Sequence, residues 1–321
     1  MFGKPTPAVL LDQQRGLFSA QLDGLDDGRV DAVHDARIVT RRIRELLALV
    51  PAGRDGNGDG EVASGYRQIG RALGKVRDID VRIGLLRNLE THVPQAAPSL
   101  VVVRQDHEHE RLAKMRRLIK TLEKIDVAGL IEALSARHPS ALRTRLTSGA
   151  WQQPLRHLLI ERAGRALDRI AHATGVYFPH RAHGARIVIK KLRYAAEIAQ
   201  AAGSADLTAQ IQSLRKGQDV LGNLHDRQVL AETLNDRPRG DVDGDHLKLI
   251  GQVLDGEILA LHAKYLERRA ALREACKKIE QSASSRLLAR LPDPAVVVGG
   301  ALLVTGLAYG GRRLMPENVR R

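Results

Sequence analysis

The chain has 321 residues, of which 43% are hydrophobic, and a formal net charge of +14 from 51 Lys and Arg against 37 Asp and Glu. That apolar share excludes a disordered chain, and an aromatic content of 3%, with Trp151 the sole tryptophan, argues against a base-stacking platform for single-stranded nucleic acid. Cys276 is the only cysteine, which excludes an intrachain disulfide and a cysteine-rich zinc site and fits a reducing interior.

Helical periodicity runs along the chain. A short helix over residues 9–22 is expected to break at Gly24-Leu25-Asp26-Asp27-Gly28. The next helix runs over about 30–50, with Val33, Ile38, Leu46, Leu47 and Val50 as its apolar set. Residues 53–60, rich in Asp and Gly, read as a loop without the spacing of an EF-hand. Further helices are expected over about 62–89, 101–125, 128–136 and 140–146. The pattern restarts near Trp151, with helices over about 155–173, 181–201, 207–234 and 246–291. Nothing alternates as a strand would, so the expected class is all-α.

The two ends differ. The amino terminus lacks the charged-then-apolar order of a secretory signal, so a cytoplasmic location is expected. Residues 295–310 are almost uncharged and apolar, flanked by Arg290 and by Arg312-Arg313, and are short of a membrane span. They read as a packed tail or as a contact with a membrane or granule surface.

Within this frame one basic pattern occurs twice. His34, Arg37, Arg41 and Arg44 recur as His183, Arg186, Lys190 and Arg193, 149 residues further on. At about 100° per residue, the four offsets fall within roughly an 80° arc of one helix. Like charges so placed repel unless an anion or internal carboxylates neutralise them. Arginine forks and lysine points suit phosphate oxygens, and a nearby phosphate would favour protonated histidine. The competing reading makes His34 and His183 core or capping residues and Arg37 and Arg186 solvated charges. Arg42 and Lys191 sit roughly 80° to 100° around, either widening the ridge or pairing with acids.

A second pattern follows each stripe. Leu73-Gly74-Lys75-Val76-Arg77-Asp78 recurs as Leu221-Gly222-Asn223-Leu224-His225-Asp226, 148 residues later. Asp78 and Asp226 read as buried or semi-buried carboxylates that orient arginines. Arg77 and His225 keep an anion donor in both copies. Asp80 is replaced by Gln228, so a metal pair is not preserved. Weaker basic runs include Arg162, Arg165, Arg169 and His172, then His107, Arg111, Lys114 and Arg117, and His262, Arg269 and Arg273. Phosphate-loop, zinc-protease, serine-elbow and dinucleotide signatures are missing, so no catalytic residue, metal or cofactor is expected.

Taken together, VHDARIVTRRIR (33–44), HGARIVIKKLRY (183–194), LGKVRDIDV and LGNLHDRQV closely resemble the CHAD family, over roughly residues 10–290. The resemblance implies paired four-helix bundles around a basic cleft that binds inorganic polyphosphate, in some members at polyphosphate granules. It carries the family's basic positions onto His34, Arg37, Arg41, Arg42, Arg44, His183, Arg186, Lys190, Lys191 and Arg193. Arg77, Asp78, His225, Asp226, Arg111, Lys114, Arg165, Arg169 and Arg273 are expected in support. The halves are placed at 10–148 and 149–291, about four helices each, related by a pseudo-twofold axis, with 292–321 as a tail. Nucleic-acid backbone binding and metal-dependent processing of phosphate chains are the alternatives. Some relatives carry a CYTH triphosphate-processing domain, but its ExExK signature is absent here.

Overall fold

Leu, Ile, Val and Ala recur at helical spacing with little to interrupt them, and the backbone follows. The computed structural model describes residues 5–49, 59–135, 144, 146–148, 150–237, 240 and 242–288. Its helices are α1 (Pro7–Ser19), α2 (Leu22–Asp26), α3 (Val30–Leu47), α4 (Asp59–His92), α5 (Ala97–Lys124) and α6 (Val127–Ala133). They continue with α7 (Gln152–His172), α8 (Pro179–Ala201), α9 (Thr208–Asn235) and α10 (Gly244–Leu288), and a 3-10 turn (Pro94–Ala96) joins α4 to α5. The fold is all-α, with no strand among the described residues.

Two expectations change. The break foreseen at 24–28 holds a short helix, α2, because Gly24 lets it nest on α3. A Cβ at position 24 would lie 2.7 Å from that of Ala32. The reversal falls at Gly28 instead, where φ is +70°, a left-handed conformation that favours glycine. Asp59 and Gly60, read as loop, begin α4. Most of the 53–60 loop, most of the 140–146 helix and the 292–321 tail lie outside the described residues.

Helix ends are closed by recognisable devices. Prolines occupy the first turn of α1 and α8. At the end of α7, Arg269 of α10 donates from Nε to the carbonyl of Ile170 at 3.0 Å and from Nη2 to that of Ala171 at 2.9 Å. These carbonyls have no intrahelical partner, so the guanidinium caps them.

Helix α3 packs on α1 and α4, and α4 on α5; α7 packs on α8 and α10, α8 on α9, and α9 on α10. Across the molecule α3 meets α8 and α4 meets α9. The main apolar cluster runs from α1 to α10, through Phe18, Ile43, Tyr66, Leu73, Leu155, Ile189, Leu221 and Leu272. A smaller cluster joins Leu86, Leu89 and Leu100 to Leu230, Leu234, Ile250 and Leu254. There Ser99 Oγ and His246 Nδ1 are hydrogen-bonded at 2.8 Å. No helix of the described residues is long and apolar enough to cross a membrane.

The α9–α10 seam is tight at Gly217. A Cβ there would meet Leu272 Cδ2 at 2.5 Å, and Leu272 is fully buried. Gly217→Ala is expected to destabilise by about 1–3 kcal/mol, despite the better helix propensity of alanine. The check is a lower urea midpoint at unchanged slope; an unaltered midpoint would mean that the seam yields freely.

Candidate functional site

Burial decides which way the stripes face. In α3 the core takes Ala32, Val33, Ala36, Val39, Thr40, Ile43, Leu46 and Leu47. That leaves His34, Arg37, Ile38 and Arg41 on another face. In α8 the core takes Ala182, Ala185, Ile189 and Leu192, leaving His183, Arg186, Ile187 and Lys190. Both sets line one cavity of about 440 Å³, together with Arg77, Asp78, Val81 and Arg82 of α4 and His225, Asp226 and Val229 of α9. Every lining residue except Arg82 has its counterpart from the sequence repeat on the opposing pair of helices. Ile38, assigned to the apolar set of its helix, lies instead on this wall, because it sits between His34 and Arg41 on the stripe.

The glycine of each repeated Leu-Gly pair makes room for an arginine. A Cβ at Gly74 would lie 3.6 Å from Arg37 Nη2, and one at Gly222 would lie 3.6 Å from Arg186 Nε. An alanine would touch the guanidinium and anything larger would displace it. The sequence signal for this role is a glycine kept mid-helix in both copies, against a cost of about 1 kcal/mol relative to alanine.

Charge in the cavity is crowded and poorly compensated. Burial, and then Arg41, Arg186 and Arg37, bring Lys190 down to about 7. Burial and Arg41 lower Arg37 to about 10 against the opposing pull of Asp78. His225 falls to about 4 through burial and then His183, whose ring centroid is 4.2 Å away. His34 and His183 are also held below the ordinary histidine value, chiefly by burial, then by Arg77 and by Arg186 respectively. Perturbation of Lys190 by Arg37 and Arg41 places the cations of α3 within Coulomb reach of α8. Among the described residues, Nε of Arg37 and Nε of Arg186 are buried with no acceptor, and Nδ1 of His183 is buried with no hydrogen-bond partner. A buried donor without a partner costs about 1–3 kcal/mol, so such donors mark a place where an acceptor is wanted.

Of the two repeated carboxylates, Asp226 matches expectation and Asp78 does not. Asp78 is 3.3 Å from Arg37 Nη2, yet its side chain is 69% exposed, so it stands at the rim and not buried among arginines. Asp226 is half-buried, and its pKa is raised because burial outweighs the attraction of Arg186. Asp80 is committed elsewhere, 2.5 Å from Arg111 Nε. Among the described residues no group of three or more His, Cys, Asp or Glu could hold a metal ion.

Other predicted site residues lie away from this cavity. Arg42 lines a separate one of about 370 Å³ with Glu45, Tyr194 and Arg215. Arg44 is exposed, toward Arg67 and Arg71 of α4. Lys191 is exposed, beside Arg162 and Arg165, and its carbonyl accepts from Arg162 Nη1 at 2.7 Å. Arg193 turns inward instead: it is buried, bonded to Glu197 at 2.6 Å and to Gln218 at 3.0 Å. Arg111 also donates to the Gly28 carbonyl at 2.9 Å, Lys114 is 3.5 Å from Glu110, and Arg165 is 2.6 Å from Glu161. Arg169 lies against Gly184, and Arg273 is exposed on α10. Arg82 is the lining cation that sequence reasoning missed. Its repeat counterpart is Leu230, so the duplication hides it, and only its place one turn after Asp78 points to it.

The CHAD domain model matches residues 9–235. The crystal structure of the CHAD domain from the plant Ricinus communis superposes with a TM-score of 0.55 at 20% identity, over 84% of this chain and 90% of that one. PptA from Streptomyces chartreusis gives 0.52 at 19% identity, over 86% of this chain and 99% of that one. No curated protein matches. The family match ends with α9 and leaves α10 outside it. Since it takes in nearly all of α1 through α9, the chain belongs to the CHAD family.

Proposed function

We propose that the cavity between α3–α4 and α8–α9 binds inorganic polyphosphate. His34, Arg37, Arg41, His183, Arg186 and Lys190 hold the chain, and Arg77 and His225 complete the cationic wall. In this reading residues 10–148 and 149–291 are two halves related by a pseudo-twofold axis, each contributing one ridge to a shared groove.

The observation that carries the reading is the crowding of cations from both walls, several of them below their ordinary pKa and several donors without acceptors. A single phosphate is too small an anion to relieve charge spread over four helices. A slender chain with a negative group at each phosphorus reaches all of them, and arginine forks match its oxygens. Nucleic acid offers similar charge but carries bulky bases, and no Phe, Tyr or Trp is among the lining residues to stack on them. Membership of the family, whose resemblance implies polyphosphate binding, points the same way. Organisation of cytoplasmic polyphosphate granules follows as the biological setting, with residues 295–310 available for a surface contact.

The test is a binding titration over phosphate chain length at several salt concentrations. Affinity should rise steeply from orthophosphate to long chains and fall with salt as counterion release requires. Equal affinity for orthophosphate and long chains at physiological salt would sink the reading. Preference for nucleic acid at matched phosphate concentration would replace it with backbone binding.

A further inference from the structure

The two ridges begin alike and end differently. Aligned through the internal repeat, Arg44 corresponds to Arg193, Arg67 to Arg215, Gly70 to Gln218, Arg71 to Asp219 and Ala48 to Glu197. On the α8–α9 side these differences close the ridge. Gln218 accepts from Arg193 Nε at 3.0 Å, Glu197 takes its Nη1 at 2.6 Å, and the same Glu197 stands 3.5 Å from Arg215. Asp219, exposed, adds a further negative charge there.

On the α3–α4 side the corresponding acceptors are gone. Gly70 has no side chain to hold the arginine, and a Cβ there would lie 3.6 Å from Arg44 Nη1, so this guanidinium rests over the bare glycine. Arg44, Arg67 and Arg71 are all exposed, and none forms an ion pair with a described residue. The others lie close enough to perturb Arg44: Arg67, Arg41 and Arg71 depress it after burial, against the opposing pull of the adjacent Glu45. Arg41 belongs to the cavity wall, so the cations form one continuous run from the cavity to the surface.

We infer that Arg44, Arg67 and Arg71 form an outer phosphate-binding site that leads a polyphosphate chain out of the cavity on the α3–α4 side only. The inference rests on the polyphosphate reading of the cavity and gives that cavity a direction. Residues bound in the centre contact the repeated ridge. Phosphates beyond it follow the three arginines and are turned away from the α8–α9 side by Glu197 and Asp219. Chains too short to leave the cavity do not reach the outer site.

The experiment compares Arg67→Ala/Arg71→Ala with the parent protein, using tripolyphosphate and long-chain polyphosphate as probes. Both side chains are exposed and form no ion pair with a described residue, so the fold should be retained. Long-chain affinity is expected to fall about tenfold, with a salt slope shallower by about 1.5, as loss of two neutralised charges requires. Tripolyphosphate affinity should not change, and Arg215→Ala should leave both probes unaffected. Equal losses for both probes, no loss for the long chain, or a matching loss in Arg215→Ala would overturn the directional path while leaving the cavity reading intact. A parent protein that binds neither probe would overturn both.

Discussion

Replacing Arg37 and Arg186 together by alanine is expected to weaken long-chain polyphosphate binding about a thousandfold at physiological salt. Each guanidinium lies over a repeated glycine, with Nε lacking an acceptor among the described residues. Truncating one partner of a desolvated charge pair costs about 2–5 kcal/mol, and about 2 kcal/mol from each site gives that factor. The log–log salt slope should flatten by about 1.5 as two neutralised charges are lost. Folding should not suffer. Arg37 is held well below its ordinary value by burial and Arg41, so its removal relieves repulsion in the empty protein. A loss of binding with an unchanged or raised unfolding midpoint supports the assignment. Retained affinity would remove these arginines from the site, and a collapsed midpoint would assign them to the core.

The second large effect is a dependence on pH. In the empty protein Lys190, held near 7, is surrounded by Arg37 and Arg41 from α3 and by Arg186 and Lys191 from its own helix. A bound polyanion favours the ammonium, so binding draws a proton onto Lys190 wherever the pH lies above 7 and below the value in the complex. Affinity should therefore fall as pH rises, approaching tenfold per unit while a full proton is taken up. His183 and His34, also depressed, extend the same trend below neutrality. Stability of the empty protein runs the other way. Because Lys190 is depressed in the folded state, the unfolded chain binds more protons between about 7 and the ordinary lysine value. Its contribution is thus present above that range and lost as pH falls through 7. Lys190→Arg copies Arg41 of the other ridge and should flatten the affinity profile above pH 7. Calorimetric titrations in buffers of different ionisation enthalpy measure the proton uptake directly. Proton release on binding, or an unchanged profile in the arginine variant, would contradict this account.

The cavity was legible in the sequence wherever the repeat spoke. Offsets of 149 and 148 residues paired His34 with His183, Arg37 with Arg186 and Arg77 with His225, and each pair lines the same space. Composition and periodicity likewise sufficed for the helices, because Leu and Ala runs bounded by Pro and Gly leave few alternatives. The failures have distinct causes. Arg193 shares its stripe with Lys190, but Glu197 one turn on captures it, and that i,i+4 acid was visible in the sequence. Arg111 is captured by Asp80, 31 residues away, through a contact that only tertiary structure creates. Asp78 was read as buried or semi-buried from its place in the second repeated pattern, yet its position on α4 places it at the rim. Gly24 resembled a breaker, although its lack of a side chain serves helix contact instead.

The last helix has its own consequence. At 1.5 Å per residue, the 45 residues of α10 make a rod about 67 Å long. Near its start Ile250 and Leu254 touch the α4–α5 turn, and further along Leu272 and Ile279 enter the main core. One long helix thus ties the turn after α4 to α7, α9 and the main core, a brace between the two halves of the molecule. An anion bound between halves braced in this way would spend little of its binding free energy on ordering the host.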